Sequence, residues 1–290
     1  ELLADLIEGL LQLIELCLDG LGIGALHCSL QLSDLGLSSS LVRSIQLVAC
    51  IGNGLLISTM SMHSRERETL FIRYIHDHHP LFRAADVPLW SDAALGYGIE
   101  GGDVLILSDK VLAIGCGERT SIAAVECLAN RVFAHGYERI LVFNNPRSRT
   151  FMHLDVLCTM VDRDTFLTHP CIYEKQFDVY ELTGSPNRLH ISLTTDPVNK
   201  IFARALGESS VRFIEMGGGD PIIAAREHWN MGSNSLTLSP GHIITYDRND
   251  VTNSLLVKAG IEVETIPGGE LCRGRGGPRC MSMPLKRERL

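Results

Sequence analysis

The strongest constraint on the fold is a pattern that recurs along most of the chain: two strands, a helix and a further strand. Residues 51–60 read as an apolar strand, and 65–78 as a helix that ends before Pro80. Residues 103–107 and 111–116 make a hairpin-like pair around 108–110. A helix follows from Ser121 to about residue 134, with Thr120 as the expected N-cap, and then a short strand at 139–143. A second hairpin pattern covers 156–162 and 166–169. Residues 242–246, about 252–259 and 262–266 complete a strand, helix and strand. Repeated units of this kind predict a propeller-like or pseudo-symmetric α/β arrangement rather than a doubly wound sheet. No Pro/Ser-rich linker divides the chain. The expected organisation is a partial helical segment at 1–40 and one α/β domain at 41–290.

Composition narrows the class of partner. With 45% apolar and 21% charged residues, the chain has the make-up of a folded globular protein. Its 26 basic and 34 acidic side chains leave a formal charge of −8, which gives no general attraction to nucleic acid or anionic lipid. The most apolar window, 1–21, is interrupted by Asp5, Glu8, Glu15 and Asp19. Its apolar residues recur at helical spacing, so it reads as an amphipathic helix rather than a bilayer span or a signal peptide. The nine cysteines are scattered, and none forms Cys-x-x-Cys, so neither a zinc ribbon nor a thioredoxin-type pair is expected. Reduced thiols in the cytoplasm are the corresponding expectation.

The residues that can carry chemistry gather in a few segments. Arg273-Gly274-Arg275-Gly276-Gly277-Pro278-Arg279-Cys280 sets a cysteine after a glycine-rich loop bearing three arginines. Guanidinium charge favours the thiolate of a cysteine whose ordinary pKa is about 8.5, and glycines let a substrate approach the backbone. A solvated turn before a buried cysteine is the alternative, and a phosphate loop lacks its Gly-Lys-Ser/Thr. In Met152-His153-Leu154-Asp155, an extended strand would point His153 and Asp155 to one face, pairing an acid/base with a carboxylate. Glu100-Gly101-Gly102-Asp103 adds two carboxylates at a strand entrance, and Glu118-Arg119-Thr120 precedes a helix. His76-Asp77-His78-His79 resembles a metal cluster, but a solvated helix end is the better reading and no metal is expected. Arg65-Glu66-Arg67-Glu68 reads as an exposed, salt-bridged helix start from which one arginine could reach an anionic substrate.

Taken in order, these segments resemble the arginine deiminases of the guanidino-group-modifying (pentein) superfamily. The matching stretches are Ile51-Gly52-Asn53-Gly54, Arg67-Glu68-Thr69-Leu70, Glu100 to Asp103, Glu118-Arg119-Thr120, Met152 to Asp155, Thr159-Met160-Val161-Asp162, Arg226-Glu227-His228-Trp229-Asn230, and the closing stretch 268–289. The resemblance implies a pentein-type α/β propeller of ββαβ units, incomplete at its N-terminus. It further implies hydrolysis of L-arginine to L-citrulline and ammonia without a cofactor, in a cytoplasmic homo-oligomer. Cys280 matches the nucleophile and His153 the general acid/base, assisted by Glu100. Asp155 matches a carboxylate that holds the guanidinium, Arg119 and Arg65 match arginines that bind the substrate carboxylate, and Asp103 and Arg275 match further pocket residues.

The chain departs from the family before residue 50. Where the family carries a second guanidinium-binding aspartate, this sequence has Gln46, and the flanking motif is absent from 38–48. A neutral amide cannot form the charge-assisted pair that a carboxylate forms. This leaves two other hypotheses beside the deiminase: a catalytically impaired or truncated relative, and a different enzyme of the superfamily such as an amidinotransferase or a methylated-arginine hydrolase.

Overall fold

The structure, a computed structural model, describes residues 44–91, 96–173, 177–271, 276–285 and 287. The helical segment expected at 1–40 lies outside the described residues. The described chain enters through α1 (Ser44–Leu47) and β1 (Val48–Ile51), which pairs antiparallel with β2 (Gly54–Ile57). Apolar continuity predicts one strand over 51–60, but the chain turns back at Gly52 and Asn53, with Gly52 at φ +58°. Both strands are buried throughout, so no polar alternation marks the break. A short 3-10 turn at His63–Arg65 leads to α2 (Glu68–His78) and α3 (Pro80–Ala84). The helix thus begins later than its periodicity suggests and stops, as expected, ahead of Pro80. Past it, Leu89 forms a parallel bridge to Leu55 of β2, with Leu55 N–H to Pro88 O at 2.8 Å and Trp90 N–H to Leu55 O at 2.7 Å. The first unit is therefore ββαβ, with its last strand shortened to a bridge.

Three fuller copies follow. The first comprises β3 (Val104–Ile106), β4 (Val111–Cys116), α4 (Ile122–Phe133) and β5 (Arg139–Asn144); β3 and β4 pair antiparallel, β4 and β5 parallel. The second begins with β6 (Cys158–Met160) and β7 (Thr165–Thr168). The hairpin β8 (Val179–Ser185) and β9 (Arg188–Thr194) then interrupts it and extends the preceding sheet to the order β3-β4-β5-β8-β9. The unit resumes with α5 (Val198–Leu206) and closes with β10 (Arg212–Glu215) parallel to β7. After α6 (Pro221–Trp229), the last unit is β11 (Leu236–Ser239), β12 (His242–Tyr246), α7 (Asp250–Lys258) and β13 (Glu262–Ile266). The same pairing pattern in each unit is what a propeller of ββαβ modules requires, as the sequence pattern predicts.

Each helix buries a stripe at helical spacing against its own sheet. Ala124, Val125, Leu128, Ala129 and Val132 of α4 pack on Ile114, Ile140 and Val142. Phe202 of α5 stacks between Phe143 and Phe166, with ring centroids 5.6 and 4.6 Å away, and so joins two sheets in one core. Ser121, not Thr120, caps α4: its side chain accepts from Ala124 N–H. The Thr120 hydroxyl is used elsewhere, donating to Asp103 Oδ2 at 2.6 Å. No helix among the described residues is long and apolar enough to cross a membrane.

Candidate active site

The chemistry-bearing residues sit in the connections between strands, and hydrogen bonds between those connections gather them. Glu100 ends an extended stretch just before a 3-10 turn at Gly101–Asp103. His153 is extended, but Asp155 lies in a 3-10 turn at Leu154–Val156, so the two do not share a strand face as a strict alternation predicts. The tight turn still buries both, because Leu154 N–H donates to Asp103 Oδ1 at 2.9 Å and fixes the segment from below. Asp103 has both oxygens committed inside the protein, to Leu154 and to Thr120. Burial pushes its pKa up to about 7, against the opposing pull of His153 and these two donors.

His153 and Glu100 form one half of the site. His153 Nε2 lies 2.8 Å from Glu100 Oε2, and both side chains are almost wholly buried. Glu100 Oε1 accepts from Ser61 N–H at 3.2 Å and from the Ser61 hydroxyl at 3.4 Å, with Arg119 Nη1 3.7 Å away. Burial acts to raise the Glu100 pKa, but the His153 hydrogen bond and charge, with Arg119 and Ser61, hold it below the ordinary value. For His153 burial opposes protonation, and the Glu100 hydrogen bond with the charges of Asp103, Glu100 and Asp155 outweighs it, raising the pKa. Both shifts favour an imidazolium beside a carboxylate.

Cys280 and Asp155 form the other half. Cys280 Sγ is 3.4 Å from Asp155 Oδ2, and Asp155 Oδ1 is buried without a hydrogen-bond partner. Cys280 is held by Asn234, whose Oδ1 accepts from Cys280 N–H at 3.0 Å while its Nδ2 donates to Asp155 O at 3.3 Å. Burial first, and then the Asp155 charge, push the Cys280 thiol far up; a Gly277 backbone hydrogen bond and Arg279 pull the other way. This reverses the expectation that the arginine-bearing loop lowers the thiol. Arg279 reaches the site, with Nε 3.8 Å from Asp155 Oδ2 and Nη2 donating to Val104 O at 3.1 Å. Arg273 and Arg275 lie outside the described residues.

Two arginines were expected to face a substrate carboxylate. Arg119 is close to Glu100, and its buried Nε makes no hydrogen bond. Arg65 is not on an exposed face: its Nε and Nη2 bind Glu68, with Nη2 to Oε2 at 2.9 Å, and its Nη1 donates to Gln46 Oε1 at 2.8 Å. The His76 cluster serves structure, with His76 Nε2 2.9 Å from Val87 O. Among the described residues no group of three or more His, Cys, Asp or Glu is placed to hold a metal ion. Sequence reasoning assigned no role to Asn234 or Ser61, and gave Arg279 only its share of the loop charge expected to favour the thiolate. Arg279 lies in the closing stretch 268–289 that carries motif signals, Asn234 falls just past the 226–230 stretch, and Ser61 lies in none.

The arginine deiminase family model matches residues 46–287, starting at Gln46 itself. The chain belongs to the arginine deiminase family. It is 46% identical over 246 residues to the arginine deiminase of Listeria monocytogenes serotype 4a (strain HCC23), and likewise to that of Staphylococcus haemolyticus (strain JCSC1435). Each match covers 83% of this chain and 60% of the relative, so the chain spans about 60% of the length of these deiminases. Among solved structures, the product-bound N-terminal domain of ArgZ, a cyanobacterial arginine dihydrolase, aligns with a TM-score of 0.60 at 16% identity. That match covers 85% of this chain and 76% of that one. A DDAH from Pseudomonas aeruginosa, complexed with citrulline, aligns with a TM-score of 0.58 at 16% identity, over 84% and 76% of the two chains. At such identity these likenesses are of fold, and they agree with the pentein-type arrangement of ββαβ units.

Proposed function

We infer that residues 41–290 form the catalytic domain of an arginine deiminase, hydrolysing L-arginine to L-citrulline and ammonia through a covalent intermediate on Cys280. The observation that carries this reading is a thiol 3.4 Å from a fully buried carboxylate, Asp155, whose Oδ1 has no hydrogen-bond partner. A buried anion with an unfilled acceptor is costly by itself and is relieved by a cation. A guanidinium supplies both the charge and a planar row of N–H donors that a carboxylate matches. Held by Asp155, its central carbon would lie against the sulfur.

The arriving charge favours the thiolate that burial and Asp155 oppose. The thiolate adds to the guanidinium carbon, and His153 gives its proton to the departing nitrogen. The C–N bond breaks, releasing ammonia and leaving an S-alkylthiouronium on Cys280. Water then adds to that carbon while His153 takes its proton, the C–S bond breaks, and citrulline leaves. The steps use only the chain's side chains and water. Glu100 keeps His153 charged for the first transfer. Arg119, whose Nε makes no hydrogen bond and lies 3.5 Å from the half-exposed Glu118 Oε1, is the better placed of the two arginines to bind the α-carboxylate, since Arg65 is engaged by Glu68 and Gln46. Arg275 completes the proposed substrate-binding set, and Asp103, with both oxygens engaged by Leu154 and Thr120, supports it by holding the segment that carries His153 and Asp155.

Citrulline formation by the purified chain tests this. Cys280→Ala is expected to lower it by at least ~10⁴-fold, and undiminished turnover would sink the assignment. Gln46 favours a second reading, an impaired relative, in which the folded chain binds L-arginine but forms no citrulline. A cytoplasmic homo-oligomer is the matching proposal for place and assembly. Sedimentation would report the assembly.

A further inference from the structure

Gln46 departs from the family pattern, and it is buried between Arg65 and the candidate nucleophile. Its oxygen accepts from Arg65 Nη1 at 2.8 Å, and its Nε2 lies 3.9 Å from Cys280 Sγ, within hydrogen-bond reach of sulfur. The orientation of the amide is fixed by chemistry. A guanidinium can only donate, so the amide oxygen must face Arg65 and the NH2 must face Sγ. Arg65 cannot swing away, because Glu68 holds its Nε and Nη2.

We propose that Gln46 is a positioning residue that donates an N–H to Cys280 Sγ and, polarised by Arg65, stabilises the thiolate before any substrate arrives. The proposal rests on Cys280 being the nucleophile. The groups facing the sulfur are Asp155, at 3.4 Å, which opposes the thiolate, and Arg279, the Gly277 backbone and Gln46, which favour it. Glu68 stands behind Arg65 and is neutralised by it. A carboxylate at position 46 would set a second anion against the sulfur and leave more of the thiol's ionisation to a cationic substrate. An amide hands part of that task to the protein, since a hydrogen bond to sulfur is stronger when the sulfur is charged.

The test is the rate at which iodoacetamide alkylates Cys280 between pH 7 and 9, read by peptide mass, with Cys116 in the same molecule as the reference. Alkylation follows the thiolate fraction, and a change of one pKa unit reads as a tenfold change in rate below the midpoint. Gln46→Glu keeps the side-chain volume and can still accept from Arg65. It is expected to slow Cys280 alkylation at pH 8 at least ~10-fold, and Gln46→Leu about 3-fold or more, with Cys116 unchanged in both. A purely structural role predicts the opposite sign, because a loosened pocket admits the reagent faster. An unchanged or faster Cys280 rate in Gln46→Glu overturns the proposal. The measurement needs no arginine, so a chain that makes no citrulline still answers it. A Cys280 that reacts at no pH in the parent chain would instead overturn its assignment as nucleophile.

Discussion

His153 and His228 are buried alike, at 1% and 6% exposure, and serve the same stretch of chain: His228 Nε2 lies 2.9 Å from the carbonyl of Thr150, just ahead of His153. Their protonation is driven in opposite directions. At both, burial penalises the imidazolium. His153 meets Glu100 at 2.8 Å, with Asp103 and Asp155 nearby, and its pKa is raised. His228 packs edge-on to His169, with ring centroids 4.7 Å apart, and near Phe151, and its pKa is lowered. His169 is pushed down to about 4, by burial and then by the charge of His228. Burial alone keeps an imidazole neutral, and a buried carboxylate within hydrogen-bond distance reverses the outcome. Under the proposed function, these shifts favour charge on the ring that would give a proton and neutrality on the rings that support its loop.

Removing the carboxylate should collapse the contrast. Glu100→Gln preserves volume, and it is expected to bring the His153 pKa down and reduce citrulline formation by ~10²–10³-fold at pH 7. An NMR titration of His153 beside the rate measurement checks both. The stability window has a definite sign. His153 is raised above 6.5, so its contribution is complete below that value and fades as pH rises through the folded pKa. Glu100 is lowered from 4.5, so its contribution is complete above that value and fades as pH falls. The variant should therefore lose most Tm between about pH 4.5 and 6.5.

A smaller perturbation leaves the carboxylate and moves the ring. A Cβ on Gly102 would lie 2.9 Å from His153 Cγ and Nδ1, closer than side chains pack. Gly102→Ala is expected to displace the imidazole, lower the rate about 10–100-fold through kcat more than KM, and destabilise the fold by about 1–3 kcal/mol. Steady-state kinetics with denaturant unfolding would separate the two effects. An unaltered kcat would mean that the turn yields and the pair survives.

The smallest effect is expected on the neutral side. Because His169 and His228 are both lowered from 6.5, the unfolded chain takes up protons that the folded chain resists. Stability is intact above pH 6.5 and falls as pH drops toward about 4, where His169 protonates in the folded state. Converting both, His169→Gln with His228→Gln, should flatten the fall of Tm over that interval by several degrees. Glu100→Gln should leave this acid slope in place. A double variant with the parent's slope would show that these rings do not set it.

Local pattern and tertiary contact divided the work unevenly. The last unit was legible almost residue by residue, with strands at His242–Tyr246 and Glu262–Ile266 where alternation and flanking turns place them. Its helix begins at Asp250, slightly ahead of the expected 252. The first unit was not, because β1 and β2 are buried on both faces and lack the polar beat that reveals a turn. Cys280, His153, Asp155, Glu100, Arg119 and Arg65 all stand out in the sequence through motifs. Their states do not. The arginine-rich loop suggested a lowered thiol, yet burial and Asp155 raise it; the charged run at 65–68 suggested an exposed, salt-bridged face, and Glu66 and Arg67 are exposed, but the Arg65–Glu68 pair is largely buried.

By itself, then, the sequence determined the repeated ββαβ pattern, the family and the residue types available for guanidino chemistry, because periodicity and motifs are local in the chain. Only the tertiary structure decided which of those residues carry charge. It alone put Glu100 beside His153 across the separation between two loops, Asn234 behind Cys280 and Asp155, and the Gln46 amide between Arg65 and the sulfur. Protonation depends on burial and on partners a few ångströms away, and neither is encoded in spacing along the chain.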